Sequence, residues 1–199
     1  MLQAEETIQT EYRALEIAKL FPLQGEWTEE DYFNLPDKNY LVELSDRRII
    51  IQDMPGDDHQ RVLLNLAIII HQYVKQNNLG EIRTSPLPVR LWKNKIREPD
   101  IIFMSNEHKD RIQKDSWGVP DLAIELISVS NEHVDRIEKF DEYAQAGIPE
   151  YWIVEPIDQT IEVFTLEQGN YVLLGKSSIG DIVYSKIIDG FEVNVVSVM

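Results

Sequence analysis

Between Arg97 and Tyr151 lie segments that otherwise want to be apolar, and three charged side chains are set in or against them. The runs REPDIIF, PDLAIELISVSN and VDRIEKFDEYAQAGIPEYWIVEP predict two buried strands, a helix and a third buried strand, with Asp100, Glu125 and Lys139 in or against them. Stripping water from an ion costs several kcal/mol unless a partner or a metal compensates. Any fold that accepts this stretch must therefore supply those partners.

The flanking segments set the fold class. Thr28 with Asp31 forms a capping-box pattern that starts a short helix ended by Pro36. YLVELSDRRIIIQ predicts two strands with a turn near Ser45 to Arg47. From His59 to Lys75, Leu63, Leu66, Ala67, Ile70 and Val74 recur at helical spacing. Glu81 to Lys93 predicts a strand whose Pro86 and Pro88 suit an edge or a bulge. A polar loop is expected over Ser105 to Val119. Asn131 to Ala146 predicts a helix packing through Ile137, Phe140, Tyr143 and Ala144, with Gly147 just past its end. From Thr160 onward short strands alternate with turns. Together these predict an α+β protein with a mixed central β-sheet flanked by helices and a C-terminal β-meander. Residues 1–25 are expected as an N-terminal helical arm, and 26–199 as a single domain.

Composition narrows the function. With 35 acidic and 19 basic residues among 199, the formal charge is −16, which repels phosphate backbones at long range. A nucleic-acid partner then requires a local basic groove or bound divalent cations. There is no cysteine, which removes thiol chemistry and fits a reducing compartment. The acidic N-terminus does not match a secretory signal and no apolar run is long enough to span a bilayer, so a soluble, cytoplasmic protein without membrane contact is expected. Glycine-rich phosphate loops, zinc-type His pairs and footholds for an organic cofactor are missing from the sequence.

Four residues are the candidates for chemistry. In DLAIELISV both strand faces are apolar except at Glu125, which either caps or pairs inside the fold or serves a site. Asp100 follows Pro99, where turn chemistry competes with a functional role. Two carboxylates on adjacent strands offer the hard oxygen ligands that Mg²⁺ or Mn²⁺ prefers. Lys139 stands four residues after Asp135 and four before Tyr143; helical periodicity alone favours an exposed Asp135–Lys139 pair, the alternative being an ammonium at a metal site. Tyr143 would pack beside that lysine or hydrogen-bond to it. Glu43, a single acid among Leu41, Val42 and Leu44, is either an exposed edge-strand residue or a further carboxylate. His59, heading the long helix, suits a solvated or capping role before that of a ligand.

The order Pro99-Asp100, Glu125, helical lysine resembles the PD-(D/E)XK, restriction-endonuclease-like superfamily. Its segments YLVELSDRR, HQRVLLNL, EPDIIFM, IELISVSN and KFDEYAQAGIPEYWIVEP are similar to those of the Uma-type (Uma-two) restriction endonuclease family, over roughly Trp27 to Phe191. The resemblance implies a restriction-endonuclease-like fold and a metal-dependent endonuclease acting on DNA. Asp100 and Glu125 would bind Mg²⁺ or Mn²⁺, Lys139 would replace the lysine usually found two residues after the glutamate, where Ile127 stands, and Glu43 would be the N-terminal acid. A homodimer is expected, because a duplex offers two strands. The family's S-P-S is Ser128-Val129-Ser130 here, and its Asp-Gly turn is Asp46-Arg47. The competing expectation is a catalytically inactive scaffold or interaction module that keeps the fold; hydrolysis of another phosphate ester is a third.

Overall fold

The computed structural model describes residues 21–36, 41–128 and 131–199. Most of the expected N-terminal arm, residues 1–20, lies outside them, as do Val129 and Ser130. A short helix, α1 (Glu29–Phe33), opens the domain with its capping box intact: Asp31 N donates to Thr28 Oγ1 and Thr28 N donates to Asp31. Strands β1 (Val42–Ser45) and β2 (Arg48–Ile51) follow as a hairpin. Its turn residues Asp46 and Arg47 both have positive φ, as a two-residue hairpin turn of this kind demands. Arg47 has no glycine's freedom there. Its guanidinium instead donates to Gly25 O and Glu26 O, which ties the turn to the segment before α1.

The long helix α2 (Asp57–Gln76) buries Val62, Leu63, Leu66, Ala67, Ile70 and Val74 on one stripe, the face its periodicity predicts. The proline-containing run then divides between two sheets. Strand β3 (Gly80–Thr84) lies at one edge of a six-stranded sheet, while β4 (Val89–Trp92) is an edge strand of a separate four-stranded sheet and carries an irregularity between Arg90 and Trp92. Strand β5 (Lys95–Arg97) pairs with both β4 and β1, giving the order β2-β1-β5-β4.

The six-stranded sheet continues with β6 (Ile101–Ser105), β7 (Leu122–Leu126), β8 (Glu150–Glu155), β9 (Thr160–Glu167) and β10 (Asn170–Ser177), in the order β10-β9-β8-β7-β6-β3. Every pairing in it is antiparallel except β7 with β8. A parallel pair needs a crossover, and here it carries α3 (Lys139–Ala146). The polar segment after β6 is ordered rather than a bare loop: a 3₁₀ turn spans Asn106–Arg111, and Trp117 bridges to both Val89 and Ile112. Asp121 holds it from beneath, accepting from Ser105 N while lying 2.6 Å from His108 Nδ1.

Side chains of the large sheet divide cleanly. Leu122, Ile124 and Leu126 join α2 in one core, whereas Ala123, Ile127, Tyr143 and Tyr151 join Trp117 in another on the opposite face. A third cluster, with Trp27, Tyr32, Leu44 and Ile96, lies between α1 and the small sheet. No helix among the described residues is long and apolar enough to cross a membrane.

The C-terminal strands do not form one meander. Strands β9 and β10 extend the large sheet, while β11 (Ile182–Tyr184) and β12 (Glu192–Asn194) make a separate ribbon. That ribbon contributes Val183, Val193 and Val195 to the α2 core. Buried Glu150 fixes the loop between its strands: it accepts from Trp152 Nε1, Ser185 Oγ and Lys186 N, and Ser185 Oγ in turn accepts from Ile187 N and Ile188 N. Burial raises the Glu150 carboxyl above its usual range although these donors pull it down. Glu150→Ala strands these donors and should cost about 3 kcal/mol, since each orphaned buried group costs roughly 1–3 kcal/mol. In thermal unfolding that is a fall in Tm on the order of 10 °C; Glu150→Gln, which keeps one acceptor oxygen, should lose clearly less.

Candidate functional site

The predicted site residues come together at one end of the β6–β7 pair. Glu125 points from β7 to the face that α3 covers, and the helix brings Lys139 onto it, with Nζ 3.0 Å from Glu125 Oε1. Lys139 Nζ also lies 2.9 Å from Asp135 Oδ1 and 3.7 Å from Glu43 Oε1. The lysine is only 3% exposed. The Asp135–Lys139 pair is therefore not an exposed helical pair, contrary to what periodicity favours. Lys139 shares the buried side of α3 with Tyr143, four residues on, and a π-helical turn over Val134–Glu138 precedes that helix. Widening one turn changes the phase between the residues before and after it. Ile137, expected on the packing face, is consequently 52% exposed, while Asp135 is buried. Tyr151 donates its hydroxyl to Asp135 O within this turn.

Tyr143 is in the site but serves the carboxylate instead of the lysine. Its hydroxyl donates to Glu125 Oε1 at 2.6 Å, so that oxygen is fixed by two donors. Asp100 lies where the chain enters β6 and reaches across to the neighbouring strand, where Oδ2 accepts from Leu126 N at 2.8 Å. His59 does not cap α2 into solvent. It turns inward, with Nε2 3.3 Å from Asp100 Oδ2 and a buried Nδ1 that has no hydrogen-bond partner among the described residues.

Glu43 belongs to a central strand of the small sheet and is fully buried, which corrects the exposed edge-strand alternative. Arg97 Nη1 donates to Glu43 Oε2 at 2.7 Å and Glu98 N donates to Oε1. The remaining face of Arg97 is taken by Glu142, which accepts from Nε at 2.7 Å and Nη2 at 2.9 Å. Glu142 also accepts from Lys95 Nζ. Sequence reasoning missed Arg97, Glu142 and the buried role of Asp135. Arg97 and Lys95 did carry a signal: two bases flank Ile96 in a strand, both inside the fold. Glu142 carried none, since an acid on a short helix is ordinary.

Electrostatics follow from this crowding. Burial raises the Glu125 carboxyl well above its usual range, the charges of Asp135 and Asp100 add to that, and Lys139 and Tyr143 offset only part of it. Burial likewise raises Asp135. Glu43 is lowered: burial opposes this, but Lys139 and Arg97 outweigh it. Burial works against the charge on Lys139, yet Glu125, Glu43 and Asp135 lift its pKa well above normal, so it stays an ammonium. For His59 burial lowers the pKa, but the bond and charge of Asp100 dominate and raise it.

Asp100, Glu125, Asp135, Lys139 and His59 line one cavity of about 90 Å³. Among the described residues, no group of three or more His, Asp or Glu side chains is gathered to hold a metal ion by itself. The donor set nevertheless fits a hard divalent cation. Carboxylates outnumber the cations that face them, and this excess adds to the burial that pushes Glu125 and Asp135 upward. Mg²⁺ commonly takes one or two carboxylates and keeps several waters, so a closed protein cage is not required.

Most of the chain has known counterparts. A family model described as "Uma2: Putative restriction endonuclease" matches residues 29–196. Among solved structures, a protein from Anabaena variabilis described as a "putative nuclease belonging to DUF820" superposes with a TM-score of 0.71 at 17% sequence identity, covering 89% of this chain and 97% of that one. At that identity the likeness shows a shared fold. No curated protein matches the chain. The family match spans most of the chain and contains every residue of the cavity described above, and on that ground the chain belongs to the Uma2 restriction endonuclease family, a family of nucleases.

Proposed function

We propose that the protein is a divalent-metal-dependent endonuclease that hydrolyses DNA phosphodiester bonds at the cavity between Asp100 and Lys139. The observation that carries this reading is the contact of a buried ammonium, Lys139, with Glu125 at 3.0 Å inside a cavity that Asp100 also lines. Asp100 and Glu125 would hold Mg²⁺ or Mn²⁺. When bound, such an ion activates water and neutralises charge on a phosphoryl group. The chain's own groups do the rest. Leu126 N and His59 fix the Asp100 carboxylate, and Tyr143 orients Glu125. Lys139, kept protonated, supplies a donor to the charge that develops on the phosphoryl oxygens. Glu43 acts indirectly, holding Lys139 in place with a charge that Arg97 pins.

A net charge of −16 favours one other reading, a non-catalytic module that keeps the nuclease fold. The two separate by experiment. On the nuclease reading, Mn²⁺ or Mg²⁺ binds the wild-type protein in calorimetry and cleaves plasmid DNA, and Glu125→Ala loses both. Lys139→Met, matched in size and uncharged, removes the cation that three buried acids share and should lower the Tm; at a temperature where it is still folded it should cut the cleavage rate by about 10²-fold or more, the scale of lost electrostatic stabilisation. Cleavage retained in Glu125→Ala would refute the assignment. Metal-free wild-type protein with unchanged Tm on adding either ion would favour the non-catalytic module.

A homodimer also belongs to this proposal. Strand β10 ends the large sheet, and Val172, Leu173 and Leu174 on it are 42–51% exposed. An exposed apolar edge invites pairing with a second copy. Light scattering should give twice the chain mass for the wild type and a single chain for Leu173→Lys; a monomeric wild type would sink the dimer.

A further inference from the structure

We propose that a second cavity, between α1 and the segment after the 3₁₀ turn, is a nucleic-acid subsite that binds one nucleotide of the substrate strand outside the reaction centre. The proposal rests on the nuclease reading and adds where the strand is gripped. The cavity measures about 630 Å³ and is lined by Phe33, Asn34, Arg90, Gln113, Lys114 and Ser116. That size is ordinary for a small-ligand pocket. Asp115 is the acid among its lining residues.

Its chemistry suits a base with its phosphate. Arg90 lies 5.8 Å from the Phe33 ring centroid and is anchored by Glu29 Oε2 at 3.0 Å from Nη2. Arg90 Nε is buried and has no hydrogen-bond partner among the described residues. A planar guanidinium held this way offers a stacking platform that a lysine does not. Asn34 and Gln113 carry amides able to meet the edge of a base. Exposed Lys114 offers a point charge for a phosphate.

Charge distribution supports the same place. From Arg83 to Ser116 there are eight Lys or Arg and five Asp or Glu, and without the two buried bases Lys95 and Arg97 the stretch still carries six against five, while the rest of the chain carries −19. Lys95 and Arg97 are spent inside on Glu142, but Lys93, Lys109 and Lys114 face solvent. A phosphate backbone repelled by most of the surface is repelled least here. The pocket also adjoins the reaction centre through α1. Tyr32 donates to Glu98, a wall of the catalytic cavity, and its ring lies 5.1 Å from that of Phe33, a wall of the second one.

The test reads binding without cleavage. A fluorescein-labelled single-stranded DNA oligonucleotide is titrated with Glu125→Ala protein over a range of salt concentrations, and the same background then carries Lys114→Ala, Arg90→Lys or the distant control Lys186→Ala. Lys114→Ala should lower the slope of log K against log salt by about one. Arg90→Lys should keep the slope and weaken binding about tenfold, as loss of one stacked base does. Lys186→Ala should change neither, and melting temperatures should match across the set. Unchanged affinity and slope in both pocket variants overturn the subsite, as does absence of DNA binding by the Glu125→Ala background. Neither result touches the nuclease reading, which wild-type cleavage and its loss in Glu125→Ala decide separately.

Discussion

The buried ammonium of Lys139 joins the parts of this molecule. Its three carboxylate neighbours come from three elements: Glu43 from the small sheet, Glu125 from the large sheet and Asp135 from the crossover between β7 and β8. Burying a lysine costs several kcal/mol, and burying carboxylates costs as much again. Neither is tolerable alone. The crossover cannot dock without Lys139 finding acids, and the acids cannot be buried without Lys139. The small sheet is locked to the same point by a second chain of charges, Glu43 to Arg97 to Glu142, which returns to α3 itself. Glu43 at one end of that chain meets Lys139, a wall of the cavity, and Glu142 at the other belongs to the helix that carries Lys139, so the docking of α3 against the small sheet and the placing of the ammonium are set by the same ions.

The legibility of the site in the sequence follows from how local each signal is. Asp100 and Glu125 stood out because a charge in an otherwise apolar strand conflicts with its immediate neighbours, and that conflict is visible over five or six residues. The α2 stripe and the alternation of β7 were equally visible, for the same reason. Glu43 and Lys139 were legible as candidates but not as buried groups. Glu43 owes its burial to Arg97, 54 residues away, and no local pattern announces that pairing. Lys139 was misjudged for a different reason. It stands four residues before buried Tyr143 on the same regular helix, and the acids that let it share that buried side come from elements a helical pattern does not see; the π turn over Val134–Glu138 bears on the residues before it. Ile137 was assigned to the core and Asp135 to the surface, and the widened turn exchanged them. The four-stranded sheet was hidden because β4 and β5 are three or four residues long and their partner β1 lies about fifty residues earlier.

The net charge of −16 gains a different meaning once it is located. Much of the acid in the interior is tied up: Glu43, Glu125, Asp135 and Glu142 face Lys139, Arg97 and Lys95, while Glu150 serves backbone and hydroxyl donors. These charges contribute little at a distance, because each is matched within a few ångströms by a donor or a cation. What a polyanion meets first is the exposed surface, and there the stretch around β4, β5 and the following loops is nearly balanced, six bases against five acids once buried Lys95 and Arg97 are set aside, in a chain that is acidic elsewhere. A strongly acidic protein and a nucleic-acid partner are therefore compatible, provided the approach is confined to that side.

The π turn links these observations. A regular α-helix from Asn131 would keep Ile137, Phe140 and Ala144 on one packing face, giving a better apolar contact and a poorer site. The widened turn sacrifices the burial of Ile137, worth roughly 2 kcal/mol, and turns Asp135 inward beside Lys139. An extra carboxylate beside two others raises the proton affinity of Glu125 and Asp135, which is destabilising in an empty cavity. That arrangement is uneconomical for a protein selected only to fold. It becomes reasonable on the metal-dependent reading proposed above, in which a cation would offset the carboxylates that Lys139 alone does not balance. The widened turn and the excess of carboxylate are then two aspects of one requirement, and the place in the sequence where periodicity fails borders the candidate site.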